Sequence, residues 1–220
     1  MKHPVNNNRF AQSLFPTNYP GSEVKLSKLE VPVVLLISSY PPRECGIATY
    51  SQDLLTALNQ QFDGSFELQV CALESGFTDY QYPKEVTYTL NVDLPMEFGV
   101  LADKINADKR INLILIQHEF GLFRMDKGES FLMLIQSLKK RVVTVFHTVL
   151  PNPDATRNCH VQSIGLFSDS IIVMTNHAAD ILKNEYIIPS KKIAEKLGLR
   201  FDRQIILHGV LTDLFRMYRS

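Results

Sequence analysis

The sequence predicts an α/β domain with a doubly wound, mostly parallel sheet of the Rossmann type. From residue 32 onward, short apolar runs rich in Val and Ile alternate with segments of helical spacing, which is typical of strand–helix–strand units. Most runs are apolar at every position, as expected for strands covered by helices on both faces. A chain of 220 residues, of which 45% are hydrophobic and 21% charged, is large enough to build one such core.

The predicted strands follow the apolar runs in chain order. The segment Glu85–Leu90 alternates apolar and polar residues, which predicts an edge strand with one solvent-facing side. The other runs are predicted to be strands of a parallel sheet. They are Val33–Ile37, Phe66–Leu73, Leu113–Ile116, Val142–Phe146, Ile171–Met174 and Ile205–Leu207.

The segments between these runs carry apolar stripes at the spacing of a helix face. Thr49 and Gln52 are predicted to form the capping box of the first helix, and Asp93 is the predicted N-cap of the second. A short extra helix is predicted around Lys191–Leu197, within the segment 186–203 that interrupts the alternation. The stripes are Ile47, Leu54, Leu55, Leu58 and Phe62; Leu94, Phe98, Leu101 and Ile105; Phe131, Leu134, Ile135 and Leu138; Val161, Ile164 and Phe167; and Ala178, Ile181 and Leu182.

Domain boundaries are predicted near both ends of the chain. Residues 1–31 are predicted to be a polar N-terminal arm, because their charges are scattered and they lack the apolar segment of a signal peptide. Residues 32–210 are predicted to form the Rossmann-like domain. Residues 211–220 are expected to be a truncated tail or linker.

Composition excludes several classes of function. The 23 basic and 23 acidic residues balance, so we expect neither a nucleic-acid partner nor a polybasic membrane anchor. The apolar runs are far shorter than the roughly 18 residues of a transmembrane helix. The cysteines, Cys45, Cys71 and Cys159, have no CxxC spacing, which argues against a disulfide framework and favours a reducing cytoplasmic location.

The loop after the first strand is the first candidate site, because ligands bind at the carboxyl ends of the strands in an open parallel sheet. It contains neither the GxGxxG fingerprint nor a GxxxxGK[ST] phosphate loop, which argues against NAD-dependent and P-loop chemistry. Gly46 lies just ahead of a predicted helix start, where backbone N–H groups attract an anion such as a diphosphate. Alternatively, Gly46 only permits a tight turn. Cys45 is near the same helix start, where a reactive thiolate is conceivable but a passive thiol is favoured.

Histidines follow three of the predicted strands. His118 comes with Glu119 after the fourth run, His147 follows the next run, and His208 follows the last. His118 and Glu119 could bind a polar ligand or act in proton transfer, or they could form a structural hydrogen-bonded pair. Histidines at the ends of successive strands favour one shared pocket. A metal site is disfavoured because no pair has ligand spacing and the HExxH motif fails at Leu122.

Two further histidines are not expected to reach this crevice. His160 and His177 both fall within predicted helices rather than at strand ends.

Five segments occur along the chain in the order SSYPPRECGIATYSQDLLTAL, IQHEFGLF, VVTVFHTVLPNP, SDSIIVMTNHAADIL and ILHGV. Together they resemble the N-terminal domain of family 4 glycosyltransferases, which are retaining GT-B enzymes. The resemblance covers roughly residues 32–210, and its matches occur in the same order as in the family.

The resemblance implies two Rossmann-like domains that face each other across a cleft. The N-terminal domain would bind the sugar acceptor, and the C-terminal domain would bind the nucleotide-sugar donor as a co-substrate. Transfer in the family needs no metal ion or other cofactor. In the family the segment matching ILHGV is followed by a linker and a donor domain, whereas ten residues follow Val210 here. The donor domain would therefore come from a separate or downstream chain.

The resemblance also assigns roles to individual residues. His147 would be the catalytic residue beside the transferred sugar, where it would help stabilise an oxocarbenium-like transition state. The backbone at Gly46 and Ile47 would approach the donor diphosphate. His118, Glu119 and Phe120 would shape the acceptor side. The other implied substrate-binding or phosphate-binding residues are Arg43, Thr49, Thr148, His208 and Gly209.

The sequence thus favours the acceptor-side half of a retaining glycosyltransferase. It would transfer a hexose from a nucleotide sugar to a glycan or a lipid-linked acceptor, and it would be inactive without a donor domain. The main alternative is a non-catalytic glycan-binding or regulatory module of the same fold. A third possibility is a metal hydrolase that uses His118, Glu119 and His147.

Overall fold

The computed structural model of the chain describes residues 31–62, 64–76, 80–123, 128–193, 199–207 and 210–217. Apart from Val31, the predicted polar arm lies outside these residues. The strands are β1 Val33–Ser38, β2 Glu67–Glu74, β3 Val86–Asn91, β4 Ile111–His118, β5 Arg141–Phe146, β6 Ser170–Val173, β7 Leu199–Leu207 and β8 Val210–Met217. The α-helices are α1 Gly46–Gln61, α2 Pro95–Ala107, α3 Glu129–Ser137, α4 Ala155–Phe167, α5 Asn176–Asn184 and α6 Ser190–Ile193, and a 3-10 turn covers Phe120–Leu122.

Strands β1 to β6 form one parallel sheet in the order β3-β2-β1-β4-β5-β6. The chain builds outward from β1 to β3, returns to place β4 on the other side of β1, and then builds outward again to β6. This is the strand order of a doubly wound Rossmann-like sheet, so the predicted fold class is confirmed. The order reverses between β1 and β4, where Ile37 pairs with Ile116.

Helices cover both faces of this sheet. Alternate residues of each strand point to opposite faces, so one strand contributes side chains to the buried clusters on both sides. Leu36 packs with Leu55 of α1 in one buried cluster. Its neighbour Leu35 belongs to a larger cluster that includes Phe98 of α2 and Phe131 of α3. This two-sided burial is the physical reason why the strand sequences are continuously apolar. The alternating run from Glu85 does form the edge strand β3, as predicted.

The predicted N-cap of the second helix is wrong. Helix α2 begins at Pro95, its N-cap is Leu94, and Leu94 makes no side-chain capping bond. The carboxylate of Asp93 instead accepts a hydrogen bond from the backbone N–H of Gly76 at 2.6 Å. Proline is favoured in the first turn of a helix because its φ is already helical. Its missing N–H costs no intrahelical hydrogen bond there, since the first N–H groups of a helix have no partner within it. Pro95 therefore starts the helix two residues after Asp93.

The last apolar run does not extend the parallel sheet, contrary to the prediction for Ile205–Leu207. This run is the end of β7, which pairs antiparallel with β8 in a separate two-stranded sheet. Only two residues separate β7 from β8, and so short a connection joins antiparallel strands, whereas a parallel crossover needs a dozen residues or more. Most of the predicted tail, Leu211–Met217, thus lies in β8. Helix α6 begins one residue before the extra helix predicted from Lys191, and residues 194–198 lie outside the described part of the chain.

Burial on α2 leads to a test of the packing. Phe98 is 2% exposed in the larger cluster, whereas Met96 on the same helix is 84% exposed. We expect Phe98→Ala to lower the free energy of unfolding by about 3–5 kcal/mol, because it leaves a cavity in the core. The matched change Met96→Ala should alter it by no more than about 0.5 kcal/mol. Urea denaturation measures both, and equal effects of the two variants would contradict this packing.

Candidate functional site

The carboxyl ends of β1 and β4 lie side by side where the strand order reverses, which is where open α/β sheets bind ligands. The loop after β1 is tied to its surroundings by hydroxyl groups. Ser38 Oγ and Ser51 Oγ lie 2.7 Å apart, in a buried hydrogen bond between β1 and α1. Ser39 Oγ lies 3.2 Å from Cys45 Sγ, across the loop. These contacts hold the beginning of α1 against the end of β1.

The beginning of α1 is capped by Cys45, so the predicted capping box is wrong. The Cys45 thiol accepts a hydrogen bond from the backbone N–H of Ala48 at 3.4 Å. Thr49 lies inside the helix, one turn too late to be the N-cap, and its hydroxyl donates to the Cys45 carbonyl oxygen at 3.4 Å. Cys45 therefore has a structural role at the helix terminus.

Gly46 is the first residue of α1 and is exposed. Its φ lies outside the left-handed region, and a Cβ built on it would meet nothing within 4 Å. The turn itself therefore does not require a glycine, which weakens the interpretation of Gly46 as a turn residue. What remains is a helix terminus at which Cys45 caps the N–H of Ala48. The N–H groups of Gly46 and Ile47 before it have no carbonyl partner within the helix. Ile47 beside it is half-buried and packs against the larger cluster.

Arg43 lies in the same loop but is directed toward β2. Its guanidinium Nη1 donates to the carbonyl oxygen of Leu73 at 3.2 Å, near the carboxyl end of that strand. Arg43 thus links two neighbouring strand ends. Thr49 is exposed on the first turn of α1.

His147 follows β5 and faces α1. Its Nε2 lies 2.7 Å from Oε1 of Gln117, which is fully buried at the end of β4. With that oxygen as acceptor, Nε2 carries the proton and Nδ1 is left as an acceptor. The ring also meets the Tyr50 ring edge-on, with the centroids 4.9 Å apart. Burial lowers the pKa of His147, and the Glu119 carboxylate offsets this shift in part.

Glu119 and Thr148 join the loops after β4 and β5. The Thr148 hydroxyl donates to Glu119 Oε2 at 2.6 Å, and the backbone N–H of His147 donates to the carbonyl oxygen of His118 at 3.1 Å. The predicted site residues Glu119, His147 and Thr148 are therefore brought together. Glu119 is hydrogen-bonded to Thr148 and not to its sequence neighbour His118, so the alternative of a structural pair between Glu119 and His118 is not formed.

The predicted single pocket for His118 and His147 is wrong, because their side chains face opposite sides of the sheet. Gln117 and His118 are consecutive residues of β4 and point to opposite faces. His147 is bonded to Gln117, whereas the His118 ring is 1% exposed and packs against the rings of Phe123 and Phe146, with centroids 6.0 and 4.7 Å away. The histidine pair that a metal hydrolase would use is therefore not formed.

A cavity of about 400 Å³ opens on the His118 side, between the loop after β4 and the beginning of α4. His160 lies on α4 and lines this cavity with His118, although its helical position predicted that it would not reach the crevice at the strand ends. The His118 and His160 ring centroids are 6.1 Å apart. The residues that line the cavity are His118, Phe120, Phe123, Asp154, Thr156, Arg157 and His160.

The sequence contains a signal for the α4 side of this cavity. Thr156 and Arg157 precede His160 by four and three residues, so all three share one helix face next to a strand end. Asp154 is the N-cap of α4 and accepts the Arg157 N–H at 2.7 Å. Its Oδ2 also lies 3.5 Å from the Arg157 guanidinium.

His208 and Gly209 lie outside the described residues. Among the residues that the structure describes, no group of three or more His, Cys, Asp or Glu side chains is arranged to hold a metal ion. Over the same residues, no helix is both long and apolar enough to cross a bilayer.

Comparison of the chain with models of known protein families gives no match, and a search of curated proteins gives none either. The resemblance to family 4 glycosyltransferases therefore stays a prediction that the motifs alone carry.

Burial of His118 leads to a prediction about pH. Burial, and then the neighbouring His160 and His147, lower the pKa of His118 from 6.5 to about 3. Between these values the unfolded chain binds more protons than the folded protein, so stability is complete above pH 6.5 and declines as the pH falls toward 3. This histidine contributes a slope of up to about 1.4 kcal/mol per pH unit. The lowered pKa of His147 adds to the slope in the same direction.

The variant His118→Phe should remove its share of this slope between pH 6.5 and 5, which urea denaturation at several pH values would measure. Exposed His177→Gln is the matched control and should retain the wild-type slope. A wild-type slope in His118→Phe would contradict the assigned burial of a neutral imidazole.

Proposed function

We propose that this chain supplies the acceptor-side half of a retaining glycosyltransferase. It would transfer a hexose from a nucleotide sugar to a glycan or a lipid-linked acceptor, together with a donor domain. The observation that carries the proposal is the position of His147, which contacts α1 through Tyr50, one helical turn after the open terminus at Gly46. The residue matched to the transferred sugar thus contacts the same helix whose terminus is matched to the diphosphate.

The terminus of α1 fits the negative charge that develops on the leaving diphosphate. The first N–H groups of a helix and its dipole stabilise an anion without reorganisation, and this electrostatic contribution is large in catalysis. The absence of a Cβ at Gly46 leaves room for a phosphate oxygen to approach the backbone. The donor domain would hold the nucleotide and the rest of the diphosphate.

His147 fits the opposite charge, which develops on the sugar ring. Because burial lowers its pKa, the imidazole is neutral at neutral pH and does not repel an oxocarbenium-like transition state. Its Nδ1 can accept a hydrogen bond from a sugar hydroxyl, while Gln117 holds Nε2. Gln117 Nε2 is itself a buried donor without a hydrogen-bond partner among the described residues, so a bound hydroxyl could satisfy it as well. The bonded pair Glu119 and Thr148 borders the same side.

The proposal is tested by reconstitution. The chain would be co-expressed with a donor domain of the GT-B type, and a panel of nucleotide sugars would be screened for transfer. We expect transfer by the complex and no turnover by the purified chain alone. Turnover of a nucleotide sugar by the chain alone would contradict the division of labour between the two domains.

In the reconstituted enzyme, His147→Ala should lower kcat by about a hundredfold or more, the usual loss when one transition-state-stabilising group is removed. Its circular dichroism should stay that of the wild type, because His147 is only partly buried. Exposed His177→Ala is the matched control and should keep wild-type kcat. Activity of His147→Ala within a few-fold of wild type would show that the assigned role is wrong.

A second candidate function is a glycan-binding or regulatory module without catalysis. The observation that favours it is the aromatic-lined cavity at His118, which opens on the opposite face from His147. Sugar binding by the chain, together with no transfer in any reconstituted complex, would favour this function over the first.

A further inference from the structure

His118 is buried with an unsatisfied polar atom. Its side chain is 1% exposed and lines the cavity of about 400 Å³, and its Nδ1 has no hydrogen-bond partner among the described residues. Leaving such a group unpaired is costly, and buried polar groups are generally paired with protein, water or ligand. The imidazole is also neutral, since its pKa is about 3, so one ring nitrogen donates and the other accepts. A hydroxyl group can donate to Nδ1 or accept from it, whichever tautomer the ring adopts.

The walls of the cavity are aromatic on one side. Phe120 and Phe123 line it directly, and the Phe120 ring meets the His118 ring edge-on at 5.2 Å between centroids. The volume is within the range of about 300–1,000 Å³ that small-molecule sites occupy. A sugar ring combines an apolar C–H face, which fits against aromatic carbon, with a polar edge of hydroxyls.

The other side of the cavity is polar but balanced in charge. Asp154 and Arg157 form an ion pair at 3.5 Å, and the same carboxylate caps the N-terminus of α4. The Asp154 carboxylate thus offsets the positive charge of the Arg157 guanidinium and that of the α4 N-terminus, both of which would otherwise attract a phosphate. Carboxylate, guanidinium and the Thr156 hydroxyl together offer acceptors and donors to a polyol.

We propose that the cavity lined by His118, Phe120, Phe123, Asp154, Arg157 and His160 binds one uncharged sugar residue, as a subsite separate from the His147 side. This subsite rests on the proposed function in one respect only, which is that the bound sugar belongs to the acceptor. Because the cavity and His147 lie on opposite faces of β4 and β5, the bound residue is one that does not react. The subsite would hold an extended acceptor at a distance from its reacting end.

Close packing surrounds the subsite. Gly128 has φ +84°, and a Cβ built there would collide with the His160 ring, so a residue other than glycine would push that ring away. His160 is therefore held against the beginning of α3. Phe123 and Phe131 stack at 4.2 Å beneath His118. A preformed site of this kind loses little conformational entropy when it binds a ligand.

The test is a titration of the full 220-residue chain, labelled with ¹³C in its six histidines, followed by NMR. The probes are methyl α-mannopyranoside, methyl α-glucopyranoside and inorganic phosphate. We expect at least one glycoside to shift the His118 and His160 ring signals saturably, and phosphate to leave them unchanged. Saturation transfer to the glycoside gives a second readout of binding.

Two variants locate the site, and a third is the matched control. His118→Phe keeps an aromatic ring but removes both nitrogens, and Arg157→Gln removes the charge while leaving the backbone N–H that Asp154 caps. Each should weaken glycoside binding by about three- to tenfold, the loss expected for one hydrogen bond. His177→Gln on α5 should bind as the wild type does.

Several outcomes would overturn the proposal. These are phosphate shifting the His118 and His160 signals while the glycosides do not, glycosides shifting the His147 signal instead, and no glycoside binding at all. Undiminished binding in both His118→Phe and Arg157→Gln would do the same. Transfer activity is not part of this test, so failure of the reconstituted enzyme would contradict the proposed function and leave the sugar-binding subsite standing.

Discussion

The parallel pairing of β1 with β4 is the constraint on which the rest of the structure depends. The two strands are separated by about seventy residues, yet Leu35, Leu36 and Ile37 pair with Ile114, Leu115 and Ile116. This pairing reverses the strand order and brings two carboxyl ends together at the middle of the sheet. The loop into α1 and the loop after β4 can meet only because of it. The strand order therefore determines where the candidate site lies, and the side chains at the strand ends determine its chemistry.

The pleat of β4 then divides that region into two sides. Gln117 points toward α1 and engages His147, while His118 points the other way into a cluster of phenylalanine rings. Burial keeps both imidazoles neutral, because desolvation penalises the charged form. One neutral histidine thus lies beside an anion-attracting helix terminus, and the other lies beside an aromatic cavity. The proposed separation of reacting and non-reacting sugars follows from this alternation.

Much of the fold could be predicted from the sequence, because strands buried on both faces leave continuous apolar runs. The first residues of the helices were harder to predict. Cys45 caps α1 and Pro95 begins α2, whereas the sequence had indicated Thr49 and Asp93 as the caps. At the site, strand ends correctly indicated that Glu119, His147 and Thr148 belong together. The sequence did not predict which face of the sheet the His118 side chain occupies, because that depends on the exact register of β4. His160 was missed because its contribution depends on where the beginning of α4 packs.

The proposed roles of Gly46, Ile47 and His147 are tested most directly by a crystal structure of the chain, assembled with a donor domain, in complex with a non-hydrolysable nucleotide-sugar analogue. We expect a phosphate oxygen within hydrogen-bonding distance of the backbone N–H groups at Gly46 or Ile47. We also expect the sugar ring to lie beside His147. A nucleotide sugar bound with its diphosphate away from the beginning of α1, or with its sugar out of contact with His147, would contradict these roles.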